Sequence, residues 1–173
     1  MKTKTVLNLI QDAEYEDFGN AYKKLLGYER NTEFFAPHAD SNSLVEYINN
    51  KLGYKVDEAY AIFMRDSNGC ELDGSTIFSF KHEEQAKDVL FVNFDKNTRK
   101  QLHVNEGAFI AGKYQSCIIV YDKASNILGD KSEGYIWGIY SLKHEKFISN
   151  FYDFLEVVKF LIQDLIDYFV EEN

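Results

Sequence analysis

A chain of 173 residues holds one domain of ordinary size, and a second would have little room for a core of its own. Hydrophobic residues make up 45% and charged residues 27%, a globular mixture that excludes wholesale disorder. Lys and Arg number 19 against 28 Asp and Glu, and the resulting formal charge of −9 argues against nucleic-acid binding through counterion release.

The N-terminus carries Lys2 and Lys4 but meets Asn8, Gln11 and Asp12 too soon for a signal-peptide apolar region. No stretch approaches the roughly 20 apolar residues that cross a bilayer, so the expectation is a soluble, cytoplasmic protein with no membrane partner. Residues 1–38 read as a helical lead to a single domain spanning 1–173, with 39–173 as its core. Val6, Leu9 and Ile10 have i, i+3, i+4 spacing, and Phe18, Tyr22, Leu25 and Leu26 repeat it. Gly27 can stop the second helix, and Pro37, the single proline, closes the lead.

A helical hairpin follows. Ser41 or Ser43 can cap a helix with Leu44, Tyr47, Ile48 and Leu52 on its apolar face, and Gly53 suits its end. Asp57 can cap a second helix carrying Ala59, Tyr60, Ile62, Phe63 and Met64, which should stop at Asn68-Gly69. The period then changes. Thr76–Phe80 is rich in β-branched and aromatic residues and reads as a strand. Residues 84–100 fit either a strand at Val89–Val92 or a helix running toward Arg99, and helix is the preferred reading.

Further strands are expected at Ala108–Ala111, Cys117–Tyr121 and Tyr135–Tyr140, separated by Gly112, by 122–129 and by Gly134. Short polar connections predict antiparallel pairing. From about Ser149 an amphipathic helix carries Phe151, Phe154, Leu155, Val158, Leu161, Ile162, Leu165, Ile166 and Phe169 on one stripe. Helices, then a meander of about four to six mostly antiparallel strands, then a covering helix, make an α+β fold.

Little of the chain reads as catalytic. His38, His82, His103 and His144 are dispersed, none with HxxxH spacing, and are expected as surface residues rather than metal ligands. Cys70 and Cys117 form no CxxC, so no disulfide framework or zinc knuckle is expected, and two reduced thiols are favoured over a disulfide between them. Cys117 reads as a core strand residue and Cys70 as a partly exposed turn residue, the wrong helix end to activate a thiol. Gly134 and Gly138 form a GxxxG in a short aromatic strand, which is unrelated to membrane helix pairing. No phosphate-binding glycine loop or GxSxG elbow is present, and no cofactor is expected. Glu71 with Asp73 read as solvated loop groups rather than as a metal or acid–base site, and Asp95-Lys96 falls short of a nuclease signature because no upstream acidic strand residue can be assigned.

The acidic charge is uneven. Residues 151–173 hold six acids and Lys159, a net −6 + 1 = −5, and residues 57–74 hold five acids and Arg65, −5 + 1 = −4. Solvated faces are the plainer account. The sharper one is an acidic surface that steers a basic protein partner, with aromatic anchors beside it. Its residues would be Asp57, Glu58, Asp66, Glu71 and Asp73 from the hairpin region, and Asp164, Asp167, Glu171 and Glu172 from the last helix.

The run Leu44-Val45-Glu46-Tyr47-Ile48-Asn49-Asn50-Lys51-Leu52-Gly53, then Asp57-Glu58-Ala59-Tyr60, Ile62-Phe63-Met64 and Asn68-Gly69, resembles the SUKH superfamily. Phe109-Ile110-Ala111-Gly112 with Ile118-Ile119-Val120-Tyr121-Asp122 is similar to its paired central strands. Phe147-Ile148-Ser149-Asn150-Phe151-Tyr152-Asp153-Phe154-Leu155 is similar to its closing segment. The resemblance covers roughly residues 40–158. It departs at Val56, where the family commonly has proline, and in the single glycine after Asn68. It implies a non-catalytic binding protein, foremost an immunity protein that neutralises a bacterial protein toxin with a basic surface, a nuclease for example. The alternatives are a regulatory scaffold without a toxin partner, or a small carboxylate-dependent hydrolase.

Overall fold

Seven strands succeed one another in the computed structural model, which describes residues 32–172. They are β1 (Thr32–Phe34), β2 (Cys70–Leu72), β3 (Ser75–Ile77), β4 (Phe109–Tyr114), β5 (Cys117–Lys123), β6 (Tyr135–Ser141) and β7 (Lys146–Phe151). Each pairs antiparallel with its neighbour in sequence, so the sheet order is the chain order. Tight turns impose part of this. Asp73 and Gly74 turn β2 into β3 with φ of 38° and 105°, and Gln115 turns β4 into β5 with φ of 52°. The connections into β2, β4 and β6 are longer and carry helices.

The helices are α1 (Ser41–Leu52), α2 (Glu58–Asp66), α3 (Val89–Phe94), α4 (Lys96–Lys100), α5 (Ala124–Leu128) and α6 (Phe154–Glu172), with a 3₁₀ turn at Gln85–Lys87. The register assigns them to sides. Phe109, Tyr121, Trp137 and Phe151 stand opposite one another on one face, and the rings of α2 and α6 cover them. Tyr60 meets Phe109 at 5.1 Å, Phe154 meets Trp137 at 4.9 Å, and Phe160 meets Phe151 at 5.2 Å. Helices α3 and α5 cover the other face, through Asn93 on Ile110 and through Ala124 and Ile127 beside Ile136. Gly138 belongs to this side because a Cβ there would stand 2.8 Å from the Phe147 ring. The architecture is therefore α+β, with a sheet between two helical layers. No helix among the described residues is long and apolar enough to cross a membrane.

Three polar side chains tie this frame together. Asp57 caps α2 by accepting from the Ala59 N–H at 3.2 Å. Its other oxygen accepts from Trp137 Nε1 at 2.9 Å and from the Phe154 N–H, the first of α6, at 2.7 Å. One carboxylate thus joins two helix starts to the central strand. Asn93 is buried and imitates a strand, accepting from the Ile110 N–H and donating to the Ile110 carbonyl, both at 2.8 Å. Asn68 treats Phe80 the same way, at 2.7 and 3.1 Å. Next to it Gly69 has φ of 83°, and a side chain there would strike the Ile77 carbonyl.

Several expectations change. The sheet has seven strands, not four to six, because β1, β2 and β7 escape the hydrophobic pattern. Residues 32–34 of the expected helical lead form β1, paired with β2; the two helices expected before it lie outside the described residues. The last helix begins at Phe154 rather than near Ser149, since Lys146–Phe151 extends the sheet beside β6. Helix α1 starts with Asp40 at its N-cap and receives no side-chain cap from either serine, although Gly53 ends it with φ of 80° as expected. Its buried face is Val45 and Ile48, while Tyr47 is 45% exposed. Residues 84–100 are helical but broken, because Asp88 and Asp95 each restart a helix by capping it. Gly112 lies inside β4 rather than after it.

Replacing Asp57 with alanine removes both caps and strands the buried Trp137 N–H. The expected loss is about 3 kcal/mol in urea unfolding, with Asp57→Asn losing less; a loss under about 1 kcal/mol would contradict the shared-cap account. Tyr60 is fully buried and its hydroxyl has no hydrogen-bond partner among the described residues. Tyr60→Phe should therefore keep or raise the melting temperature, whereas a cost above about 1 kcal/mol would reveal an unseen partner.

Candidate functional site

The turns at Asp73-Gly74 and Gln115-Ser116 lie side by side, because β3 and β4 pair up to Ser75 and Tyr114 and the Gln115 N–H donates to the Gly74 carbonyl at 2.9 Å. Helix α6 runs past both. The Tyr114 ring packs on Phe160 at 5.2 Å, and one turn further along α6 Asp164 meets the Tyr114 hydroxyl. Asp73, Gln115, Asp164 and Leu165 then line a cleft of about 250 Å³. Two acidic stretches some ninety residues apart in sequence converge here. Asp167 follows Asp164 by almost one turn, is exposed, and accepts from Gln163 Nε2 at 2.8 Å.

The remaining acids go elsewhere. Asp57 is engaged on both oxygens inside the domain, so it is a structural bridge rather than a steering charge. Glu71 is not a solvated loop group: it sits half-buried in β2, accepts from Thr76 Oγ1 at 3.0 Å and holds Lys87 Nζ at 2.9 Å. The Glu71 hydrogen bond raises the Lys87 pKa, with its charge and that of Glu84 adding to it. Glu58 is exposed, 3.9 Å from Lys55 Nζ. Asp66, half-buried, ends α2. Glu171 and Glu172 close α6, and their side chains lie outside the described residues. Sequence reasoning missed Tyr114 and Gln115. Their signal was the short five-residue gap, Gly112 to Ser116, between two β-rich runs, which calls for a hairpin turn there.

Nucleophile chemistry is disfavoured at the buried candidates. Cys70 lies in β2 with 0% exposure, not in a partly exposed turn, and burial pushes its thiol up to about 12. Cys117 is buried in β5, and both thiols are free. Burial, with the charge of Asp57 adding, also pushes the Tyr121 hydroxyl up to about 12. Asp95 spends its carboxylate on Thr98, at 3.1 Å to the N–H and 2.9 Å to Oγ1, as the cap of α4. His38 and His82 accept from the N–H two residues ahead, in local turns. Among the described residues no three His, Cys, Asp or Glu side chains gather as metal ligands.

The cleft makes a measurable linkage. Burial first, then the hydrogen bond to Asp164 and its charge, raise Tyr114 from its ordinary 10.0 to about 12. The folded state therefore favours the protonated phenol. Its share of stability is complete below pH 10 and is lost as pH climbs toward about 12. Tyr114→Phe should unfold with a shallower loss of stability across that window than the parent chain, read by urea titrations at stepped pH; identical slopes would show that Tyr114 titrates normally.

No protein-family profile matches the chain, and no curated protein matches it.

Proposed function

We propose that this chain is a SUKH-like, non-catalytic immunity protein of the cytoplasm that binds a bacterial protein toxin with a basic surface and blocks it by occlusion. The observation that supports this reading best is the meeting of Asp73 and Asp164 in one cleft, with the exposed Asp167 beside them. Acids held on a hairpin turn and a helix keep fixed spacing, which suits recognition of lysines and arginines on a folded partner. Charges at such a rim act mainly on the rate of encounter. Apolar contact supplies the remainder, and Tyr152, 73% exposed just before α6, and Ile148, 51% exposed on β7, are available for it.

A toxin encoded beside this chain, which this reading expects, is the test partner. The expected outcome is a stable complex on co-expression and loss of toxicity. In the triple variant Asp73→Lys, Asp164→Lys, Asp167→Lys the association rate should fall at least about tenfold, with little dependence on salt remaining. A toxin that stays active and uncomplexed beside the parent chain would overturn the reading. A triple variant that associates as fast as the parent would remove the cleft from it.

A further inference from the structure

Helix α4 and the loop after it carry Lys96, Arg99, Lys100 and His103, spaced i, i+3, i+4, i+7 in sequence. All four line a single cavity of about 520 Å³, together with the half-buried Phe94 and Val104. The volume lies in the range of small-molecule sites. Among the described residues Glu106 is the one acid on its wall, so with histidine neutral their charges sum to +3 − 1 = +2 in a chain of −9.

Two features show that these cations form no ion pair among the described residues. Lys96 and Lys100 stand one turn apart and repel, and among the described residues neither makes a salt bridge. Arg99 is held in place by one end only: its Nη2 donates to the Asn105 and Ala108 carbonyls, which are neutral, while Nε and Nη1 have no partner among the described residues. Burial pulls the Arg99 guanidinium below its ordinary value, and the nearby Asp122 and Glu106 carboxylates work against that shift. A planar, pre-ordered fork with free donors fits the two oxygens of a carboxylate or phosphate.

We propose that this cavity binds a small amphipathic oxyanion, with its phosphate or carboxylate on Arg99, Lys96 and Lys100 and its apolar part against Phe94 and Val104. The site is separate from the acidic cleft on α6 and stands whether or not the toxin reading does. It gives the protein a second, small-molecule specificity of the opposite charge.

Calorimetry and amide chemical shifts on the full chain test it with 1-naphthyl phosphate, 1-naphthoate, neutral 1-naphthol and inorganic phosphate. At least one naphthyl anion should saturate the site and shift the amides of Arg99, Lys100 and His103, and the two anions distinguish phosphate from carboxylate. Naphthol and inorganic phosphate, each lacking half of the ligand, should bind at least about tenfold more weakly. Lys96→Glu with Lys100→Glu, both exposed positions, should weaken the anion at least about tenfold without changing thermal unfolding. Raising NaCl from about 50 to 500 mM should weaken it in the parent chain, a measurement that needs no variant. The proposal is overturned by no saturation with either anion up to about 10 mM, by naphthol binding as well as the anions, or by salt-independent affinity.

Discussion

The Asp57 carboxylate has to be in one place for three elements to be where they are. Its oxygens receive the Ala59 N–H in the first turn of α2, the indole N–H of Trp137 and the first N–H of α6, the last two contributed by positions 80 and 97 residues later in the chain. A helix start leaves its N–H groups unpaired, and a buried indole leaves one more. Meeting them with a single anion fixes the angle between two helices and pins both to the middle of the sheet. The negative charge sits at the positive ends of two helix dipoles, where it is stabilised twice. Rings fill the space beneath, with Tyr60 touching Phe109, Trp137 and Phe154 within 5.8 Å.

This constraint divides the acidic residues into two populations. Asp57, Asp88, Asp95 and Glu71 are spent on caps, a strand hydroxyl and a lysine, and contribute to the fold rather than to the outer field. Asp73 and Asp167 are exposed at one end of the sheet, where turn and helix meet, with the half-buried Asp164 against Tyr114 beside them. Cations gather instead around α4, on the layer across the sheet from α6. Net charge alone conceals that polarity, because −9 is a sum over both populations. A formal charge describes the solution behaviour of the chain, while the side-chain partners decide which part of it a ligand meets.

How much of this was legible in the sequence depends on the range of each interaction. Asp57 and Gly53 were readable as a cap and a stop because capping is local, within three residues. The bond from Asp57 to Trp137 was not, since no spacing rule connects positions 80 apart. Strands β1 and β2 are three residues each, too short for a period to show. Strand β7 alternates exposed and half-buried residues, yet Phe147, Phe151 and Phe154 also lie at near-helical spacing, and only pairing with β6 decides between them. Within residues 84–100 the apolar run suited both periods, and the two capping aspartates that break the segment into separate helices, Asp88 and Asp95, were a local signal that sequence reasoning missed. At the acidic cleft, each carboxylate was visible singly; their meeting depends on the β3–β4 register and the path of α6.

Asn68 and Asn93 stand in for strands, and this makes the fold's integrity a matter of covalent chemistry as well as of packing. Asn68 precedes Gly69, the dipeptide in which an asparagine amide is most readily lost to backbone attack. Its Nδ2 donates to the Phe80 carbonyl, so conversion to aspartate would set oxygen against oxygen in a half-buried site. The Phe80 N–H could still be received, but the matching bond would become a repulsion. The close fit of Gly69 under the Ile77 carbonyl resists the rearrangement that hydrolysis requires. As long as the strands hold, the amide is protected; once they loosen, ageing at Asn68 would keep them from closing again.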